Sequence, residues 1–229
     1  MKKVILVLLY LFIFNSSAIA LVEIDITRGN LDPLPIAVSP LYIEPGSKEI
    51  KQDGKVIKNI GEEISKVIEV NFRRSGLFNP LKKDSFVQNP DIAHVKPRFE
   101  DWRLIKAQAL VTGKVTVSDD KLRAEFRLWD VVAAKEMIAL AFSTTPSNWR
   151  RVAHIISDKI YQRLTGEEGY FDTRIIYVSE TGKKTQRYKK LAIMDQDGAN
   201  VKYLTLGNEL VLTPRFSPKN QLVTYLSYF

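Results

Sequence analysis

Over residues 191–205 the chain reads LAIMDQDGANVKYLT, and over 214–227 it reads PRFSPKNQLVTYLS. Leu191 and Ile193, then Val201 and Tyr203, alternate with other residues on either side of Asp197-Gly198, a pair suited to the positive φ angles of a tight hairpin. The spacing predicts strand, turn, strand, which is the form of a β-propeller repeat. Such a repeat buries its apolar face only on its neighbours, and closed propellers typically use about four to eight four-stranded blades. The chain is therefore expected to carry a complete domain first and an incomplete propeller, about one blade plus the start of the next, after it.

The N-terminus narrows the setting. Lys2 and Lys3 precede an apolar run over 4–14, polar Asn15, Ser16 and Ser17 close it, and Ala18-Ile19-Ala20 follows as a small-x-small cleavage pattern. This is the layout of a secretory signal over 1–20 cut after Ala20. The run is shorter than the roughly 20 residues a membrane-spanning helix needs. An exported chain with no cysteine has no disulfides, so packed cores alone must stabilise it. The net charge of +8 includes Lys2 and Lys3, and the other basic residues are dispersed in pairs such as Lys82-Lys83 and Arg150-Arg151. Charge of that kind governs solubility and association rather than fold, and no nucleic-acid partner is expected.

Val22, Glu23, Ile24, Asp25, Ile26, Thr27 and Arg28 alternate apolar and polar residues, as in a strand with one polar face. That strand can pair within its own domain or add to the sheet edge of a partner. Residues 34–40, between prolines, suit a short buried strand. Asn59 and Glu62 form a capping box for a helix whose apolar stripe is Ile60, Ile64, Val67, Ile68 and Phe72, and Gly76 supplies the left-handed stop. Asn71 lies within that stripe and is expected to bond a neighbouring loop. Residues 86–97 read as loop, 102–108 as a short helix, and 109–117 as a strand. Leu122, Ala124, Phe126 and Leu128 then alternate with Arg123, Glu125, Arg127 and Trp129, which puts Trp129 on the polar face as a candidate exposed contact. A further strand is expected over 136–144. Ser147 is expected to cap a second helix with Trp149, Val152, Ala153, Ile156, Ile160 and Leu164 inward, His154 on its polar face and Gly166 at its end. Residues 21–166 thus read as an α/β domain of two helices on one side of a mixed sheet, 167–173 as a linker, and 174–229 as the incomplete propeller.

Several stretches in this order resemble the TolB family of periplasmic proteins of the Tol-Pal envelope system. They are PIAVSP (35–40), RSGLFNPL (74–81), the run 102–116, the junction LTGEEGYFDTRIIYV (164–178) and the repeat above. The resemblance implies a periplasmic, non-catalytic adaptor that links an inner-membrane Tol complex to the outer-membrane lipoprotein Pal during cell constriction. It also implies that the segment holding residues 22–28 contacts a TolA-like protein, with Ile24 and Ile26 as apolar anchors, and that the propeller binds Pal. Where the family's repeat carries Trp before Ser-Pro and Asp-Gly after it, this chain has Phe216 and Lys219-Asn220. Asn220 is expected to take the left-handed turn and Phe216 to fill the apolar slot. Most of the family's blades and its ring-closing strand have no counterpart here, so 175–177 and 222–226 are expected to leave strand edges unpaired. The residues also leave open a non-functional truncated product or a fragment of a propeller-containing peptidase.

No enzyme is expected. A propeller peptidase would need a Gly-x-Ser-x-Gly elbow with Asp and His after it, and the sequence has no such elbow. Its two histidines, His94 and His154, are expected to be solvated or locally bonded. They make no recognisable metal set, and Asp195-Gln-Asp197-Gly198 lacks the remaining ligands of a calcium loop. No phosphate-cradling loop occurs, so no cofactor is expected.

Overall fold

The computed structural model describes residues 32–52 and 54–228. Ala20 and residues 22–28 lie outside them. The first strand, β1 (Leu34–Val38), sends Ile36 and Val38 to one side and Ala37 to the other. Pro40 interrupts the ladder, and β2 (Tyr42–Ile43) resumes farther along the same neighbour. A small antiparallel pair, β3 (Ile50–Gln52) and β4 (Lys55–Ile57), leads into helix α1 (Ile60–Ser75). Asn59 Oδ1 accepts from the Glu62 N–H at 3.1 Å. Glu62 reaches the Asn59 side-chain amide instead of its backbone (3.4 Å). Gly76 ends the helix at φ 73°, a conformation a side chain would strain.

Strand β5 (Phe78–Pro80) pairs with β1 in parallel, and β6 (Ala109–Val117) does so on β1's other side. Strands β7 (Leu122–Asp130) and β8 (Lys135–Thr144) follow as antiparallel neighbours. The order β5-β1-β6-β7-β8, with β2 also on β6, is the expected mixed sheet. Between β5 and β6 lie the short helices α2 (Pro90–Ala93) and α3 (Phe99–Leu104). The helix expected over 102–108 therefore begins and ends earlier. Lys106 sits at φ 61°, outside helical space, and stops it.

Helix α4 (Trp149–Thr165) packs beside α1 on one face of the sheet, and its six stripe residues are all buried. Ser147 does not cap it: a 3₁₀ turn, Pro146–Asn148, runs straight into the helix, and Ser147 Oγ lies 3.1 Å from Thr145 Oγ1. The main core fills the space between the two helices and the sheet, with Phe72, Phe126 and Phe171 fully enclosed.

The second face of the sheet is where the alternation misleads. Residues 81–107 cross it and bring Phe86, Phe99, Trp102 and Ile105 against Ala37, Leu110, Trp129 and Val131. Trp129 is consequently only 8 % exposed; its Nε1–H donates to Thr112 Oγ1 at 2.8 Å, and Phe99 meets it edge-on. The expectation of an exposed Trp129 is corrected. A side that looked polar is covered by a layer from elsewhere in the chain.

Beyond α4 come β9 (Arg174–Lys183), β10 (Gln186–Asp195) and β11 (Lys202–Tyr203), an antiparallel sheet in the order β11-β10-β9. The expected hairpin is present, with Ala192 opposite Tyr203 and Gly198 at φ 87°. A separate pair, β12 (Leu210–Phe216) and β13 (Val223–Tyr228), carries a bulge between Leu212 and Arg215, where Pro214 lacks a ladder N–H. This is a propeller-type strand region with no closed sheet among the described residues. Asn220 is absent from the positive-φ residues, where Asn200 stands instead (φ 54°). In the 217–222 turn the Ser217 hydroxyl accepts from the Lys219 and Asn220 N–H groups, which closes it without a left-handed residue. Phe216 does not fill a slot but is 44 % exposed on the two-stranded sheet. Ile175, Leu222 and Leu226 are exposed, and β9 and β13 are edge strands among the described residues, as expected.

Candidate functional site

An amide inside an apolar helical stripe needs partners, because leaving it unsatisfied costs on the order of 1–3 kcal/mol. Asn71 finds three. Its Nδ2 donates to Ser157 Oγ at 2.9 Å and lies 3.0 Å from His154 Nδ1, while its Oδ1 accepts from Gln196 Nε2 at 3.0 Å. Two of these partners are on α4 and the third is in the turn between β10 and β11. Asn71 thus ties both helices to the strand region, with the loop bond the sequence called for.

The same contacts fix the histidine tautomer. Ser157 Oγ donates its own proton to the Ala153 carbonyl (2.8 Å), so it must accept from Asn71. That orients the amide with its N–H groups toward His154 as well, making Nδ1 an acceptor and leaving the ring proton on Nε2. His154 is 2 % exposed, which corrects its expected place on a solvated face. The 195–200 turn lies over that side of α4: Asp197 Oδ2 is 3.6 Å from His154 Nε2, and the same carboxylate pairs with Arg150. Burial pushes the His154 imidazole below its ordinary value of 6.5, against the pull of Asp197 and Asp195. Burial alone would raise the Asp197 carboxyl, but the Ala199 N–H, Arg150 and His154 outweigh it and hold the group below the usual range.

The segment 167–173 is fastened along α4. Asp158 accepts from the Phe171 and Asp172 N–H groups at 2.7 and 3.0 Å, and its carboxyl is nevertheless raised by burial. Gly169 passes so close that an added Cβ would lie 2.4 Å from Asp158 Cα, so only glycine fits without a shift. Phe171 is enclosed by Phe72, Tyr161 and Tyr170. Arg151 pairs with Asp172, Arg74 donates to the Gln196 carbonyl, and the Gln196 N–H donates to the Thr173 carbonyl. Beside this seam opens a groove of about 400 Å³, lined in part by Gln52, Arg151, Asp172, Arg174 and Lys202.

Donor atoms of His154, Asp195 and Asp197 come within 4.8 Å of one another, a grouping the sequence did not suggest. The arrangement is that of a polar seam rather than a cation site. Arg150 already occupies Asp197, and the His154 nitrogen that faces the carboxylates carries the ring proton. His94, by contrast, has the local role expected of it: its ring stacks on Tyr42 and its Nδ1 lies 3.0 Å from the Pro90 carbonyl. Among the described residues no helix is long and apolar enough to cross a membrane. The sequence-expected binding residues, 22–28, fall outside the described chain. The first described residue, Asp32, stands two residues before β1.

Comparison with known proteins matches residues 22–137 to the TolB amino-terminal domain and residues 161–229 to the TolB beta propeller domain. A relative from Pelagibacter ubique (strain HTCC1062), the Tol-Pal system protein TolB, is 70 % identical over 98 % of this chain and 51 % of its own length. The chain thus spans about half the length of that relative. The crystal structure of TolB from Acinetobacter baumannii superposes with a TM-score of 0.69 at 24 % identity, over 86 % of this chain and 44 % of that one. That likeness shows the fold.

Proposed function

Because the chain belongs to the TolB family, we propose that it acts in the periplasm as a non-catalytic adaptor of the Tol-Pal system. In this role it joins inner-membrane Tol proteins to the outer-membrane lipoprotein Pal and so serves outer-membrane integrity and constriction during cell division. The observation that carries the reading is the match of both family models, in order, along one chain.

Each part of the chain takes a share of the task. Residues 1–20 direct export and are removed after Ala20. Residues 22–28 engage a TolA-like partner by adding a strand to its sheet: Ile24 and Ile26 anchor one face, and the backbone supplies the ladder bonds. Residues 21–166 present that arm, 167–173 connect, and the strands from residue 174 onward belong to the surface that meets Pal.

Deleting residues 22–28 and titrating the chain against the C-terminal domain of the TolA-like partner by calorimetry tests the arm. Three or four ladder bonds at about 1 kcal/mol each would be lost, so affinity should fall on the order of 100-fold or more. An unchanged affinity would remove the arm from the mechanism.

A further inference from the structure

We propose that the His154 seam is an acid-sensitive latch: a proton taken up at His154 Nδ1 loosens the hold of α1 and α4 on the 195–200 turn. This goes beyond the adaptor reading and does not depend on it. In the neutral state Nδ1 accepts from Asn71 Nδ2–H at 3.0 Å, and the opposite end of the Asn71 amide holds Gln196. A proton on Nδ1 sets two donors against each other. Turning the Asn71 amide repairs that contact, but it then points Nδ2 at Gln196 Nε2, and Oδ1 at a Ser157 oxygen whose proton is committed to Ala153. Unturned, the amide keeps Gln196 but faces a second donor at His154; turned, it loses or inverts the Asn71–Gln196 bond, which crosses between the helices and the strand region. The imidazole forms part of the groove wall yet is only 2 % exposed, so little water reaches the new charge.

The charged groups around the ring act in both directions. From α4, Arg150 opposes the imidazolium, and Asp158 also faces His154. From the linker Asp172, itself paired with Arg151, favours the charge, as do Asp195 and Asp197 from the strand region. Arg174 and Lys202 line the same groove, and Arg74 of α1 holds the Gln196 carbonyl. Burial prevails, and the ring's folded-state pKa lies below 6.5. A group depressed in this way contributes stability that is full above its unfolded pKa and is lost as pH falls below it toward the folded value. The closed seam should therefore weaken below about pH 6.5.

Amide hydrogen exchange on the full chain, corrected for the intrinsic pH dependence of exchange, reads the latch. Between about pH 7.5 and about pH 5, protection at Gln196, Gly198 and Ala199 should fall roughly tenfold, while that of β6 and β7 holds. In His154→Gln, which stays neutral throughout, the acid response should disappear. Asp158 titrates in the opposite sense, its carboxyl being raised, so Asp158→Asn should keep or enlarge the response. Should His154→Gln fail to fold, NMR titration of the His154 ring in the unaltered chain decides. Ring titration in step with exposure of the turn supports the latch. A ring that protonates while protection of the turn stays constant overturns it, as does an acid response that survives in His154→Gln.

Discussion

Phe171→Ala should lower the unfolding free energy by about 3–5 kcal/mol, the usual cost of emptying an aromatic site in a closed core. The ring is fully buried and touches Phe72 on α1 and Tyr161 on α4, although it belongs to the segment that leads out of the helical unit. The site has little freedom to collapse. Gly169 lies against the Asp158 backbone on one side, and the Asp158 carboxylate fixes the Phe171 and Asp172 N–H groups on the other. With a urea dependence of about 2–3 kcal/mol per molar, the midpoint for the helical unit should move down by roughly 1–2.5 M. A shift below about 0.3 M would mean that the segment carrying Phe171 is not part of the core it enters.

Asn71→Ala should cost about 2–4 kcal/mol, more than a helix-surface substitution and for a different reason than Phe171. The change leaves His154 Nδ1 without its donor and Ser157 Oγ without an incoming hydrogen bond, both in enclosed positions. Gln196 is half-buried and recovers part of its loss from water. A double-mutant cycle separates the two sides of the seam. Asn71→Ala and Gln196→Ala should show a coupling of about 0.5–3 kcal/mol, as residues in one hydrogen-bond network do. Additivity to within about 0.3 kcal/mol would show that the Asn71–Gln196 bond contributes nothing across the junction.

Both helices were legible in the sequence because each carries its own signals: an apolar stripe, a glycine stop and, for α1, a cap in Asn59. The hairpin at Asp197-Gly198 was legible for the same local reason. What failed was the inference from a polar-looking face to a solvated one. Trp129 alternates with Leu128 as an outward residue should, but Phe86, Phe99, Trp102 and Ile105 cover it from a stretch with no regular period. His154 lies off the stripe of α4, and the turn that encloses it comes some forty residues later in the chain. One signal pointed there. Asn71 sat in an apolar stripe and needed partners, and following that need leads to His154 and Gln196. The order of strands was not legible, because a parallel neighbour such as β5 or β6 leaves no mark in β1 itself.

The position of β1 has a mechanical consequence. It is held on both sides, by β5 and by β6, and both neighbours run parallel to it. A pull delivered through Asp32 along the strand axis loads these bonds side by side in shear, so they must rupture nearly together instead of being peeled in turn. The paired strands β12 and β13 have no such flank on the outer side of β13 among the described residues. In single-molecule extension from residue 32 to the chain's other end, the strand region should give way first, at the lower force, with the sheet built around β1 yielding last. The reverse order of events would show that β1 does not carry the pull.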